Sequence, residues 1–306
     1  MNTWKHGIIG IIAVIAITFT ACPPEPDPKK DTKPKAGDII VSSTGIELAY
    51  IPAGTFEMGK DLGTARASFG DETPVHTVTL AGFYMGKYEV TQGQYQTVMG
   101  ALPSNLDSET NTYGKGNNYP VYYVSWYDAI EFCNALSVLE GLTPYYSINK
   151  GQPDPNNTNS NDTFKWLVTP NTNANGYRLP TEAQWEYAAK GGNTGETFTY
   201  SGSDDPAAVA WCYSNGGETS KQVGTKAPNG LGLYDMSGNV YEWCWDWYGD
   251  YTNESQTNPT GASSGSRRVL RGGSWDVPAE LVSSAFRVSY YPNDRLHVIG
   301  FRLVRP

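Results

Sequence analysis

Histidine and cysteine are scarce in this chain. Its 306 residues include 3 His and 4 Cys, and no Cys-x-x-Cys pair occurs, which argues against a zinc or thioredoxin-type site. One cysteine, Cys22, closes an apolar leader. The other three, Cys133, Cys212 and Cys244, are an odd number that cannot all pair, so there is no complete disulfide framework. No Lys/Arg-rich run is present. With 22 Lys and Arg against 31 Asp and Glu, the net charge is −9, which excludes nucleic acid and anionic membrane surfaces as partners. No internal repeat is visible, so a solenoid or propeller is excluded. The one long apolar run, Ile8 to Phe19, falls short of the roughly 20 residues that a membrane span needs.

That run reads as a signal peptide, with Lys5 and His6 before it. It ends in Phe19-Thr20-Ala21-Cys22, which resembles a loose bacterial lipobox. The resemblance implies cleavage before Cys22 and lipidation of its thiol and amine, with several acyl chains giving stable anchoring. Pro23 to Lys35 reads PPEPDPKKDTKPK, rich in Pro and charge with nothing apolar to bury. Such a segment is an extended spacer. Residues 1–21 are therefore expected to be the leader, 22–38 a lipidated cysteine with its tether, and 39–306 one globular domain. An exported lipoprotein at the cell surface, on the outer membrane, fits this order.

Aromatic residues make up 13% of the chain, with 21 Tyr and 9 Trp beside 33 Gly and 20 Pro. Large rings among many turn formers point to a loop-rich domain held together by aromatic packing. Leu48 to Gly59 and His76 to Leu80 alternate like strands. Thr91 and Gln94 form a capping-box pattern opening a short helix near Tyr95 to Met99. Ser125 can cap a second helix, Trp126 to Leu139, whose apolar face includes Ala129, Ile130, Cys133, Leu136 and Leu139. Cys133 is thereby a small core residue. Asn156 to Asp162, NNTNSND, reads as a polar surface excursion. Thr181 and Gln184 repeat the capping box before a third helix, Glu182 to Lys190. The class is α+β.

Seven segments, in order, resemble the formylglycine-generating enzyme family. They are Ile51-Pro-Ala-Gly-Thr-Phe-Glu-Met-Gly59, Tyr88-Glu-Val-Thr-Gln92, Pro120-Val-Tyr-Tyr-Val-Ser-Trp126, Tyr177-Arg-Leu-Pro-Thr-Glu-Ala-Gln-Trp-Glu-Tyr-Ala188, Gly232-Leu-Tyr-Asp-Met-Ser-Gly-Asn-Val-Tyr-Glu-Trp243, Arg271-Gly-Gly-Ser-Trp275 and Gly300-Phe-Arg302. The resemblance implies a compact C-type lectin-like fold with two main helices, short mixed strands and long ordered loops. In the active oxidases, two cysteines five apart follow the Gly-Gly-Ser motif and bind copper, since soft thiolates suit Cu(I). Those positions are Val277 and Val282 here, and valine offers neither thiolate nor proton transfer. Another branch holds iron with two His and a carboxylate, but His76 and His297 lie far apart in sequence. The family's calcium motif maps to the side chains of Asp235 and Glu242 and the carbonyls of Gly238 and Val240, oxygen donors that suit a hard cation. A structural calcium is thus implied as possible, and no cofactor as required. The family's second calcium signature is not evident between Trp211 and Gly224.

The C-terminal stretch from Arg268 to Pro306 also resembles the variable region of retroelement-diversified lipoproteins. In such systems adenines of AAC-rich templates are randomised, giving mostly NNC codons, which cannot encode Lys, Glu, Gln, Met or Trp. The matching positions are Asp276, Val277, Pro278, Leu281, Phe286, Val288, Ser289, Tyr290, Tyr291, Leu296, His297 and Val298, and none breaks that restriction. Tyr with Ser is a mixture that adaptable binding surfaces use. An alternative is that Val288 and Tyr290 alternate into the core as a strand. The leading expectation is a monomeric, non-catalytic lipoprotein whose C-terminal face binds a protein or other surface ligand. The rivals are an enzyme with an unrecognised activity and a structural envelope component with a fixed partner.

Overall fold

The computed structural model describes Met1 and residues 33–60, 71–108 and 112–306. Most of the leader and tether, including Cys22, lies outside the described residues. Among those residues no helix is long and apolar enough to cross a membrane. The domain that follows is α+β, as the periodicities indicate.

Among the described residues thirteen short strands form four small sheets. The first has the order β1 (Ile39–Val41), β2 (Glu47–Ile51), β5 (Phe83–Gly86), β13 (Val304–Arg305), so both ends of the domain meet in one sheet. The second has the order β11 (Arg287–Tyr290), β10 (Arg268–Arg271), β8 (Tyr241–Trp247), β12 (Ile299–Gly300). The third joins β3 (Gly54–Met58), β4 (His76–Leu80) and β9 (Gln256–Thr257), and the fourth is the hairpin of β6 (Tyr146–Pro153) and β7 (Trp166–Pro170).

The helices begin where the local chemistry demands. In α1 (Gln92–Met99) Thr91 accepts from the Gln94 backbone while the Gln94 side chain reaches back, and Gly100 closes the helix in the left-handed conformation. This helix starts three residues earlier than the pattern suggested, because the box fixes its first turn. After the short α2 (Ser104–Asp107) comes α3 (Trp126–Leu139), 14 residues capped by Ser125 with Asp128. The third box opens α4 (Glu182–Ala189), whose eight residues are all buried. Pro206–Val209 forms α5. Cys133 lies fully buried on the inner face of α3, and burial pushes its thiol up out of the reactive range.

The polar stretch from Asn156 to Asp162 is only partly the surface excursion its composition suggests, with Asn156, Thr158, Ser160 and Asn161 exposed. Asn157, Asn159 and Asp162 are buried. The Tyr127 hydroxyl and the Asn157 amide both donate to the Asp162 carboxylate, at 2.8 Å each. Asn157 and Asn159 side chains accept backbone N–H groups two residues on. The amides serve as internal turn makers, so the loop packs under its own hydrogen bonds.

Between the sheets, β8 is buried on both faces. Trp243 donates to the Val124 carbonyl and Trp126 to the Cys244 carbonyl, at 3.0 Å each, stitching α3 to the second sheet. Arginines fill places where the sheets and α4 leave polar backbone. Arg271 pairs with Glu186, Arg287 with Glu182 at 2.7 and 2.8 Å, and Arg302 with Glu242. Arg268 lies between the rings of Trp126 and Trp247, its guanidinium carbon 3.9 and 3.4 Å from the ring centres.

Candidate binding face

The C-terminal tract leaves β10 through Gly272 and Gly273, both at positive φ. A Cβ on Gly273 would sit 2.4 Å from the Leu281 carbonyl oxygen, so the tight return of the chain requires glycine there. A 3₁₀ turn (Ala279–Val282) follows, then edge strand β11. Of the twelve positions singled out in sequence, Asp276 and Pro278 are exposed. Val277, Leu281, Val288, Ser289, Tyr290, Tyr291, Leu296 and His297 are half-buried. Phe286 and Val298 are buried, at 7% and 6% exposure, and belong to the main core. A largely solvent-facing tract is therefore not what the fold gives: only Asp276 and Pro278 of the twelve are exposed, and Phe286 and Val298 are core because Phe286 enters β11 and Val298 enters β12 from inside. Val288 and Tyr290 lean partly on the core from the sheet edge.

Backbone anchoring of the tract comes from elsewhere in the chain. Tyr123 N–H donates to the Leu296 carbonyl and Trp126 N–H to the Pro292 carbonyl, at 3.0 Å each. Asp294 accepts from Tyr291 N–H at 2.9 Å. Arg295 forms a two-pronged pair with Asp128, at 2.8 and 2.9 Å. The Arg267 guanidinium covers the Tyr291 ring, 4.8 Å from its centre.

At the centre is an aromatic platform that sequence reasoning only half found. The His297 ring stacks on Tyr113 at 4.2 Å, and Trp275 stands 5.7 Å from Tyr113 and 5.6 Å from His297. Tyr123 approaches His297 at 6.2 Å and holds φ at 58°, a left-handed conformation that is costly for a bulky residue. Tyr113 and Tyr123 lie outside the tract. The paired tyrosines before Ser125 were the available signal, and their placement needs tertiary structure. Burial holds the His297 imidazole below its ordinary pKa while Asp276 opposes this, so the ring is mostly neutral near pH 7. A cleft of about 340 Å³ opens beside Tyr123, lined also by Tyr95, Pro103, Asp128 and Arg295.

Val277 and Val282 join Ala210 and Cys212 in a small apolar cluster. Cys133, Cys212 and Cys244 are all free and buried. His76 packs edge-on against Tyr251, apart from the ring partners of His297. Among the described residues no group of three His, Cys, Asp or Glu is placed to hold a metal.

The calcium-motif loop is tightly built. Gly238 has φ 83° and its Cβ would lie 2.1 Å from the Trp211 carbonyl oxygen. Asp235 accepts from Gly224 N–H at 2.7 Å through one carboxylate oxygen, and the other oxygen is buried without a partner. Glu242 is already spent. Both its oxygens face Arg302, at 2.6 and 2.7 Å, and one also accepts from Trp185 at 2.7 Å. Asp235, Gly238, Val240 and Glu242 therefore do not fit a calcium ion as a set, since both oxygens of Glu242 already face a guanidinium, a cation that opposes a second one. The positive charge near this loop is the guanidinium of Arg302.

Comparison with known structures defines the class. Treponema denticola variable protein 1 aligns with TM-score 0.74 and 36% identity, over 88% of this chain and 99% of that one. The structure of PvdO from Pseudomonas aeruginosa aligns with TM-score 0.67 and 26% identity, over 89% and 98%. The fold is the C-type lectin-like fold of the formylglycine-generating type. Residues 41–306 match the sulfatase-modifying factor enzyme 1-like domain, and the chain belongs to that family. A relative from Paenibacillus barcinonensis named chaperone protein LppX is 41% identical over 287 residues, covering 88% of this chain and 92% of the relative. The formylglycine-generating enzyme of Streptomyces coelicolor is 30% identical over 280 residues, covering 82% and 87%.

Proposed function

We propose that this chain is a non-catalytic, surface-tethered lipoprotein whose C-terminal face binds a protein or other surface ligand through diversified side chains. The observation that carries the reading is the half-buried stack of Tyr113 and His297, backed by the buried Trp275, beside a tract whose backbone is pinned from outside. Stiff rings with a neutral imidazole offer contact area at little entropic cost, and neighbouring side chains can change without moving the backbone. Two valines where the active oxidases carry cysteines support the absence of oxidase chemistry. The likeness to a variable protein supports diversification. In this reading Cys22 carries the lipid, residues 23–38 hold the domain off the outer membrane, and the domain acts as a monomer. It needs no cofactor.

Deep sequencing of the gene's 3′ end from an outgrown population tests this. Nonsynonymous changes concentrated at the twelve tract codons, all of NNC form, are expected. An invariant tract, or changes scattered evenly over the domain, would overturn diversification. A second reading, an envelope factor with a fixed client, is favoured by the name of the Paenibacillus relative, and an invariant tract is what it requires.

A further inference from the structure

The guanidinium of Arg178, like that of Arg268 between its tryptophans, has no glutamate against it. Arg271, Arg287 and Arg302 each face a glutamate. Arg178 has no carboxylate in salt-bridge contact among the described residues. Its hydrogen bonds both leave from Nη1, to the Leu179 carbonyl at 3.1 Å and the Gln184 side-chain oxygen at 2.8 Å. Asp246 is the carboxylate that acts on it electrostatically, from a buried position where it accepts from Glu182 N–H.

Arg178 lines a cleft of about 450 Å³ bounded by the turn into β5, the β6–β7 hairpin, the start of α4 and the loop after β9. The walls are aromatic. Trp245 stacks on Tyr146 with ring centres 5.2 Å apart and planes 17° from parallel, Tyr145 meets Tyr146 edge-on, and the Arg178 guanidinium lies 5.4 Å from the Tyr145 ring centre. The Gln184 oxygen is engaged by Arg178 and by Thr181 N–H, which leaves its amide N–H₂ as a second donor beside the guanidinium. Nothing in the binding-face reading uses this cleft, and none of the twelve tract residues lines it.

We propose that the cleft binds an aromatic carboxylate, with the ring against Trp245 and Tyr145 and the carboxylate on Arg178 and Gln184. The volume falls within the range of small-molecule sites, and such sites pair apolar walls with a few placed polar groups. A guanidinium is a planar donor matched to a carboxylate. Half-buried with no carboxylate in salt-bridge contact, Arg178 has only Asp246 acting on it from a distance, and such a ligand would bring a carboxylate into direct contact in the cleft, which Pro306 also lines. The carboxylate can come from a free aromatic acid or from the C-terminus of a peptide ending in an aromatic residue.

Calorimetric titration of the domain separates these outcomes. The probes are indole-3-acetate and its neutral amide, together with Gly-Gly-Trp carrying a free or an amidated C-terminus. At least one free-acid probe is expected to bind at least tenfold more tightly than its amide, and which one binds identifies the source. Arg178→Gln should lower acid binding to the level of the amide. Thr172→Trp, which places a ring at the exposed rim, should block both probes while leaving the melting temperature unchanged, so the test survives even if Arg178→Gln folds poorly. Equal binding of acid and amide, no binding of either acid up to about 5 mM, or unaltered acid binding in a folded Arg178→Gln variant would overturn the proposal.

Discussion

Arg302 grips Glu242 with two nitrogens, at 2.6 and 2.7 Å, and neither side chain is exposed to solvent. The same guanidinium donates to the carbonyls of Gly86 and Tyr234, at 2.9 Å each, tying β5 and the loop before β8 to the C-terminus. Losing one partner of such a pair leaves a buried charge, which costs about 3–5 kcal/mol. Glu242→Gln should therefore lower the melting temperature by roughly 10 °C at this size. Calcium or EDTA should shift the wild-type melt by less than about 1 °C, since linkage needs a site that binds. A calcium-dependent rise that Asp235→Asn removes would instead make the loop a metal site.

Two buried aspartates give stability an acidic optimum. Burial raises Asp235 to about 6, and burial followed by the nearby Glu182 raises Asp246 to about 7. Unfolded aspartate titrates near 3.9. Between these values the folded state holds protons that the unfolded chain has released, so stability falls as pH rises through this window. Glu186 acts oppositely. Its carboxyl is held below its ordinary range by Lys190 and Arg271 against the cost of burial, so its contribution is lost only on deeper acidification. Thermal melts should peak near pH 5 or below and decline until about pH 7, by on the order of 4 kcal/mol, then level off. Asp246→Asn should flatten that decline, and an unchanged slope would show that Asp246 does not cause it.

Within the tract, burial separates residues that can vary freely from residues that cannot. Replacing Asp276, Tyr291 and His297 together by Ser should cost about 1 kcal/mol or less, as exposed and rim positions do. Phe286→Ala and Trp275→Ala should each cost about 3–5 kcal/mol, and Val298→Ser about 2. Four melts beside wild type measure this. A triple-Ser variant that melts as low as Trp275→Ala would mean the tract is core throughout.

The split between these groups was not visible in the sequence, and the reason is range. Capping boxes at Thr91 and Thr181, and the cap at Ser125, were legible because their partners lie three residues away. The pairs Arg271–Glu186, Arg287–Glu182 and Arg302–Glu242 span 85, 105 and 60 residues, and no local pattern marks them. Asn157 and Asp162 read as surface polarity because their partner, Tyr127, is on another element. The motif order marked out the C-terminal tract along the chain, but Tyr113 packs on His297 from a loop with no signature of its own.

The anchor is a separate question, because Cys22 lies outside the described residues. Cys22→Ser should abolish acyl labelling and move the protein from the membrane to the soluble fraction, since several acyl chains are what stable anchoring requires. Unchanged detergent partitioning of that variant would show that something other than lipid holds it.

Val277 and Val282 decide the chemistry. On the family resemblance the two copper thiolates would stand at these positions, and here two valines pack with Ala210 and with Cys212, which is free. A lone thiol in an apolar cluster gives one soft donor where linear Cu(I) coordination wants two. Purified protein supplied with copper, oxygen and a sulfatase-type cysteine peptide should produce no formylglycine above a no-protein control by mass spectrometry. Restoring both donors, as Val277→Cys with Val282→Cys, should add tight Cu(I) binding in a chelator competition, at least tenfold above wild type, whether or not turnover returns. The two measurements are read together. Formylglycine made by the wild type would refute the non-catalytic reading outright. Tight Cu(I) binding by the wild type would place a second donor beside Cys212, where the valines exclude one.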